Sequence, residues 1–129
     1  MAVDSSQLAD KKTFRDLIAY QKSKKLVKLI YQLSSKFPKQ EFALQNQIQR
    51  AVVSIPANIA EGQQRYYPKE LIRFLYISRA SLAEVEVYVD LALDLGYISS
   101  EDFSAVIDLI NEVGKLINGL INSLKESVN

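Results

Sequence analysis

Apolar residues recur along most of this chain at intervals of three and four. That spacing gathers them on one side of an α-helix, and it predicts four helices in succession. Residues 1–12 contain "DSSQ" and no periodicity, and they read as a flexible N-terminal arm. The first helix is expected over residues 13–36, with Leu26, Leu29, Ile30 and Leu33 in its buried stripe. Phe37 precedes Pro38, and the residue before a proline is pushed out of helical geometry, so the helix should stop there. Pro38 suits the first turn of the second helix, where its missing N–H is not needed, and Glu41 suits the early dipole. Ile48, Val52, Ile55 and Ile59 form the seam of that helix, with Gly62 as its expected end and "QRYY" as a short connection.

The third helix should begin at Pro68 and run to about residue 95, with Gly96 as a left-handed terminator. Its early part, "LIRFLYI", is apolar on more than one face and needs cover on several sides. A second copy of the chain would supply part of that cover. Ser99 and Asp102 resemble a capping box at the head of the fourth helix. Phe103, Val106, Ile110, Val113, Ile117 and Ile121 then follow at helical spacing. Gly114 and Gly119 either weaken this helix by about 1 kcal/mol each or permit a close helix approach. The expected fold class is all-α, an up-down-up-down four-helix bundle over residues 13–129.

Pro56 interrupts the rhythm of the second helix without ending it. A proline there removes one backbone hydrogen bond and crowds the Val52 carbonyl, which predicts a kink and gives the nearby Ser54 hydroxyl a carbonyl to relieve. Beside the apolar seam runs a second, polar stripe: Gln47, Arg50, Ser54, Asn58, Glu61 and Arg65. Such a stripe is either a solvated face or, given its short and amide side chains, the lining of a groove or interface.

The 129 residues suffice for one domain, and 48% of them are hydrophobic, enough for a packed core. Cysteine and histidine are both absent. That removes disulfides, thiol chemistry, the commonest general base and the commonest metal ligand. No apolar run is long enough to cross a membrane, and the first residues lack the core of a signal peptide, so a cytoplasmic location is expected. The net charge of +1 hides an asymmetry. Through Arg50 there are ten Lys/Arg against four Asp/Glu; from Ala51 onward there are six against eleven. Either the basic half meets an anionic partner, or the halves complement each other within the fold or between subunits.

The run "QIQRAVVSIPANIAEGQQR" resembles the signature of the bacterial four-helix-bundle proteins called 23S ribosomal RNA intervening-sequence proteins. Gln47, Ile48, Arg50, Ala51, Ser54, Ile55, Pro56, Asn58, Ile59, Ala60, Glu61, Gly62 and Arg65 carry the likeness. The flanks agree, with Phe14, Leu17, Gln21, Leu26, Tyr31 and Phe37 in the first helix. Phe74, Leu75, Ser81, Leu82, Glu84 and the ending "LGYI" agree in the third. The chain departs from the pattern at Tyr20, Ser23, Ala80 and Tyr67, where Trp, Ala, Gly and a capping Ser or Thr are frequent. The resemblance implies a homo-oligomer, with a ring-like pentamer as the expected arrangement, and no enzyme activity. It also implies an association with RNA or an RNA-handling protein. A related group assists a reverse transcriptase of diversity-generating retroelements through a basic surface.

Candidate contacts for nucleic acid or such a partner are Lys22, Lys24, Lys25, Lys28, Arg50, Arg65, Lys69 and Arg73, which would neutralise phosphates. Tyr66 and Tyr67 would stack on bases. Gln47, Ser54, Pro56, Asn58, Glu61, Gly62, Ser81 and Glu84 are candidates for shaping the bundle and its assembly. The alternative is a protein-interaction scaffold with no nucleic-acid binding. An enzyme is disfavoured. Glu84 with Glu86 and Asp90 with Asp94 are paired acids, but no Glu-x-x-His, glycine-rich phosphate loop or nucleophile with a base accompanies them. No catalytic residue, metal, cofactor, small-molecule substrate or membrane contact is expected.

Overall fold

The structure is a computed structural model describing residues 13–128. The arm expected over residues 1–12 lies outside the described residues. Four helices follow one another: α1 (Ile18–Ser34), α2 (Phe42–Gln64), α3 (Pro68–Asp94) and α4 (Ser100–Val128). Each packs on its neighbours in the chain, and α1 closes the circuit against α4. The diagonal pairs α1 with α3 and α2 with α4 bring no two Cα atoms within 8 Å, as in a four-cornered antiparallel bundle.

The first helix starts later than its periodicity suggests. Thr13 Oγ1 accepts from the Arg15 N–H at 3.2 Å, and the Asp16 carboxylate accepts from the Thr13 N–H at 2.8 Å. This reciprocal cap closes a single tight turn, Phe14–Asp16, and extended Leu17 separates it from α1. The second helix also starts later. Pro38 caps a tight turn at Lys39–Glu41, and α2 follows at Phe42.

Gly62 does not end α2, which continues to Gln64. A methyl placed on Gly62 would lie 2.7 Å from Phe74 Cβ and 3.2 Å from Leu71 Cα. Its missing side chain therefore lets α2 and α3 approach each other. The left-handed residue of this connection is Tyr66, at φ 66°. Tyr67 precedes α3 without a side-chain cap, and Pro68 opens the helix. At the far end Gly96 does adopt φ 77°. There the Tyr97 N–H donates to the Ala92 carbonyl at 2.8 Å, closing the turn by a Schellman pattern. Ser99 caps α4 by accepting from the Asp102 N–H at 3.1 Å.

The core takes Leu26 and Ile30 from α1, and Val52, Ile55 and Ile59 from α2. Leu75 and Val85 of α3 and Val113 and Ile117 of α4 complete its centre. Each such side chain contributes about 1.5–3 kcal/mol on full burial. Pro56 is buried inside an unbroken α2. Gly114 sits beside Leu82, with 3.4 Å to a built methyl, whereas Gly119 faces open space. The close-approach reading therefore does not hold at Gly119.

Candidate functional site

The polar stripe of α2 packs beside α3 rather than forming a uniformly solvated face. The Ser54 and Ser81 hydroxyls bond to each other across the two helices. Asn58 Nδ2 donates to the Ser54 carbonyl at 2.8 Å and reaches its hydroxyl at 3.3 Å. The Tyr88 hydroxyl donates to Glu84 at 3.1 Å and lies 3.4 Å from the Gln47 amide oxygen. Partial burial, and then the bond to Glu84, push the Tyr88 phenol above its ordinary range. Ser54 is thus engaged with Ser81 and Asn58, not with the carbonyl freed by Pro56. Deeper in the same seam, buried Ser78 donates to the Ile55 carbonyl at 2.9 Å. Gly62, Ser78 and Ser81 all serve one end: small side chains that bring α2 and α3 together. Of these, Ser78 escaped the sequence reading, although it precedes Ser81 by one helical turn.

The ten candidate contact residues divide among several places. Lys24, Lys25 and Lys28 stand together on the outward side of α1, where they line a shallow hollow of about 260 Å³ with Arg15, Tyr20 and Gln21. Helix α1 contains four lysines and no acid, and these three form no ion pair among the described residues. The Lys24 ammonium lies 5.5 Å from the Tyr20 ring centre, and Phe14 packs edge-on against Tyr20 at 5.0 Å. Arg15 and Tyr20 were not among the sequence candidates. Arg15 joins the cluster because the tight turn folds it back, with its carbonyl accepting from Gln21 Nε2 at 2.9 Å. Lys22 is excluded: it turns toward α4 and pairs with Glu112 at 3.3 Å.

Arg50 is exposed at a separate hollow with Tyr31, Asn46 and Gln49. Arg65, Tyr66, Tyr67, Lys69 and Arg73 lie at the end of the bundle where α2 turns into α3. Both arginines there are neutralised. Arg65 pairs with Glu61 at 2.7 Å and Arg73 with Glu70 at 2.8 Å, and both guanidinium groups lie over the Phe74 ring. The Arg73 hydrogen bond, aided by the charges of Arg73 and Arg65, holds the Glu70 carboxyl below its usual range. Tyr66 and Tyr67 are strongly exposed, at 85% and 71%. They rim a cavity of about 530 Å³ whose walls include Phe14, Gly62, Leu71 and Leu124.

Two further apolar surfaces lie outside the core among the described residues. A groove of about 470 Å³ between α1 and α2 is lined by Phe14, Val27, Val53, Pro56, Ala57 and Ala60, with Lys24 and Lys28 beside it. On α3, Ile77, Val87 and Leu91 are exposed on the side away from the core. Among the described residues, no three His, Cys, Asp or Glu side chains converge as a metal site would require. No described helix is long and apolar enough to cross a membrane.

A family model for the 23S rRNA-intervening sequence protein matches residues 15–119. Among solved structures, the chain is similar to a Bacteroides thetaiotaomicron protein of unknown function from the S23 ribosomal protein family. The two are 27% identical with a TM-score of 0.76, and the match covers 81% of this chain and 98% of the other. Comparison with curated proteins finds no match.

Proposed function

The chain belongs to the 23S rRNA-intervening sequence protein family, and on that premise we propose that it is a non-enzymatic, homo-oligomeric module that binds nucleic acid. The observation that supports this reading is the outward face of α1, where Arg15, Lys24, Lys25 and Lys28 surround Tyr20. Cations without carboxylate partners suit a phosphate backbone, and an aromatic ring among them suits an unstacked base. A single-stranded RNA or DNA segment fits that chemistry best. In a ring of subunits, five on the family's pattern, a modest patch would recur around the axis and bind far more strongly than one copy. A protein that handles RNA, such as a reverse transcriptase, would then be recruited by the shared strand or by the ring itself. The bundle-end residues Arg65, Arg73, Tyr66 and Tyr67 are secondary, because both arginines already have carboxylate partners.

The test is equilibrium binding of labelled single-stranded RNA and DNA across a salt series. Wild-type binding should weaken linearly in log–log form. The triple variant Lys24→Ala/Lys25→Ala/Lys28→Ala should lower the slope by about 2 per subunit engaged, from about 0.7 per phosphate contact. An absence of binding at low salt, or an unchanged slope in the variant, overturns the reading. The first outcome would favour a protein scaffold without nucleic acid.

A further inference from the structure

Helix α3 carries two seams. One faces the core through Leu71, Leu75, Ser78, Leu82, Val85 and Val89. The other runs along the opposite side through Ile77, Ala80, Glu84, Val87 and Leu91, at spacings of three, four, three and four. All five are exposed, Val87 to 54% and Leu91 to 43%. That spacing is what a helix shows when it packs against helices on two sides. Among the described residues, nothing covers the second seam.

We propose that the outer seam of α3 packs into the α1–α2 groove of a second copy of the chain, head to tail. Self-association is part of the reading above, on which this inference rests; the faces add the identity and the polarity of the contact. Three observations select this occupant. The groove offers small residues, Ala57 and Ala60, where an incoming ridge needs room. The groove's α2 wall from Val53 to Ala60 spans seven residue steps, about 10 Å, and so receives about two turns of the seam. The charges are complementary. Lys24, Lys28 and Arg50 border the α1–α2 side, while Glu84, Asp90 and Asp94 of α3 form no ion pair among the described residues.

A two-fold pairing of α3 with its own copy is disfavoured by the position of Glu84. It stands midway along the seam, so an antiparallel α3–α3 contact would place Glu84 against the partner's Glu84. A head-to-tail contact has no such clash, and it closes into a ring when the rotation between copies permits. The contact meets one edge of the basic hollow, since Tyr20, Lys24 and Lys28 line both it and the groove, while Arg15, Gln21 and Lys25 line the hollow alone and stay open to a strand.

The experiment uses two full-length variants altered only at exposed positions. Val87→Arg/Leu91→Arg blocks the seam, and Val53→Arg/Ala57→Arg blocks the groove. Light scattering should report an oligomer for the wild type and a monomer of 14.6 kDa for each variant. An equal mixture of the two should give a species of twice that mass and nothing larger, because only one intact seam and one intact groove then meet. Milder pairs, Val87→Ser/Leu91→Ser and Val53→Ser/Ala57→Ser, replace either arginine variant that melts well below the wild type. A monomeric wild type overturns self-association itself. An oligomeric wild type whose mass survives either variant overturns these faces alone, and a mixture that stays monomeric overturns the head-to-tail polarity.

Discussion

Replacing Gly62 by alanine tests how α2 and α3 are held. Within a helix, Gly→Ala normally stabilises by about 1 kcal/mol, because alanine has less backbone freedom to lose. At Gly62 the added methyl would stand 2.7 Å from Phe74 Cβ and 3.2 Å from the Leu71 Cα. Neither atom is the end of a flexible side chain, so the helices themselves must separate. Overpacking of this kind costs about 1–3 kcal/mol, and here it falls on rigid atoms at the upper end of that range. The expected net loss is about 1–2 kcal/mol, seen as a fall in Tm of about 3–8 °C in a chain of this size. Gly119 faces open space and supplies the control, with Gly119→Ala raising Tm by about 3–5 °C. Gly62→Asn separates packing from chain reversal. A left-handed terminator accepts Asn more readily than Ala, whereas a packing glycine tolerates the bulkier Asn less. Thermal melts followed by circular dichroism decide the matter. Gly62→Ala as stable as the wild type, or Gly62→Asn more stable than Gly62→Ala, would refute the close-approach account.

Further outcomes follow from single contacts. Ser78→Ala removes a buried hydroxyl that donates to the Ile55 carbonyl, and urea unfolding should show a loss of about 1 kcal/mol. Tyr66→Asn places a residue tolerant of positive φ where tyrosine is held at 66°, and it should gain about 1 kcal/mol in the same assay. Glu70 is held below its ordinary 4.5 chiefly by the Arg73 hydrogen bond. Its ionised form therefore contributes stability above the unfolded pKa, and that contribution disappears as pH falls through the lowered folded value. The Tm advantage of the wild type over Glu70→Gln should be present at neutral pH and vanish in acid; a gap that stays constant from pH 7 to pH 3 contradicts the assignment.

The fold was legible because the seams Ile48–Val52–Ile55–Ile59 and Val106–Ile110–Val113–Ile117 have an unambiguous period, and because Pro38, Pro68 and Gly96 act locally. What periodicity could not reveal depended on contacts between helices. Gly62 looks like a terminator along the chain, and only the position of Phe74 identifies it as a packing residue. Thr13 and Asp16 split the first helix through a reciprocal cap that an apolar pattern does not register. At the site, neighbouring lysines looked equivalent until Glu112 claimed Lys22 from a helix some ninety residues away. Arg65 and Arg73 likewise read as free cations until their carboxylate partners were in view. The outer seam of α3 was only partly visible in "LIRFLYI", since exposure of Val87 and Leu91 follows from where the core lies.

The separation of charge between the two sides of the bundle alters how the protein behaves in bulk. Helix α1 has four lysines and no acid, while α3 and α4 together carry ten acids against five cations. With a pI near 7.9, a uniform surface would hold weakly to any ion-exchange resin near neutral pH. A free subunit with two opposed poles should instead adhere to both kinds, presenting α1 to a sulfonate matrix and the α3–α4 side to a quaternary amine. Each adsorbed layer would then display the pole of opposite sign to the liquid.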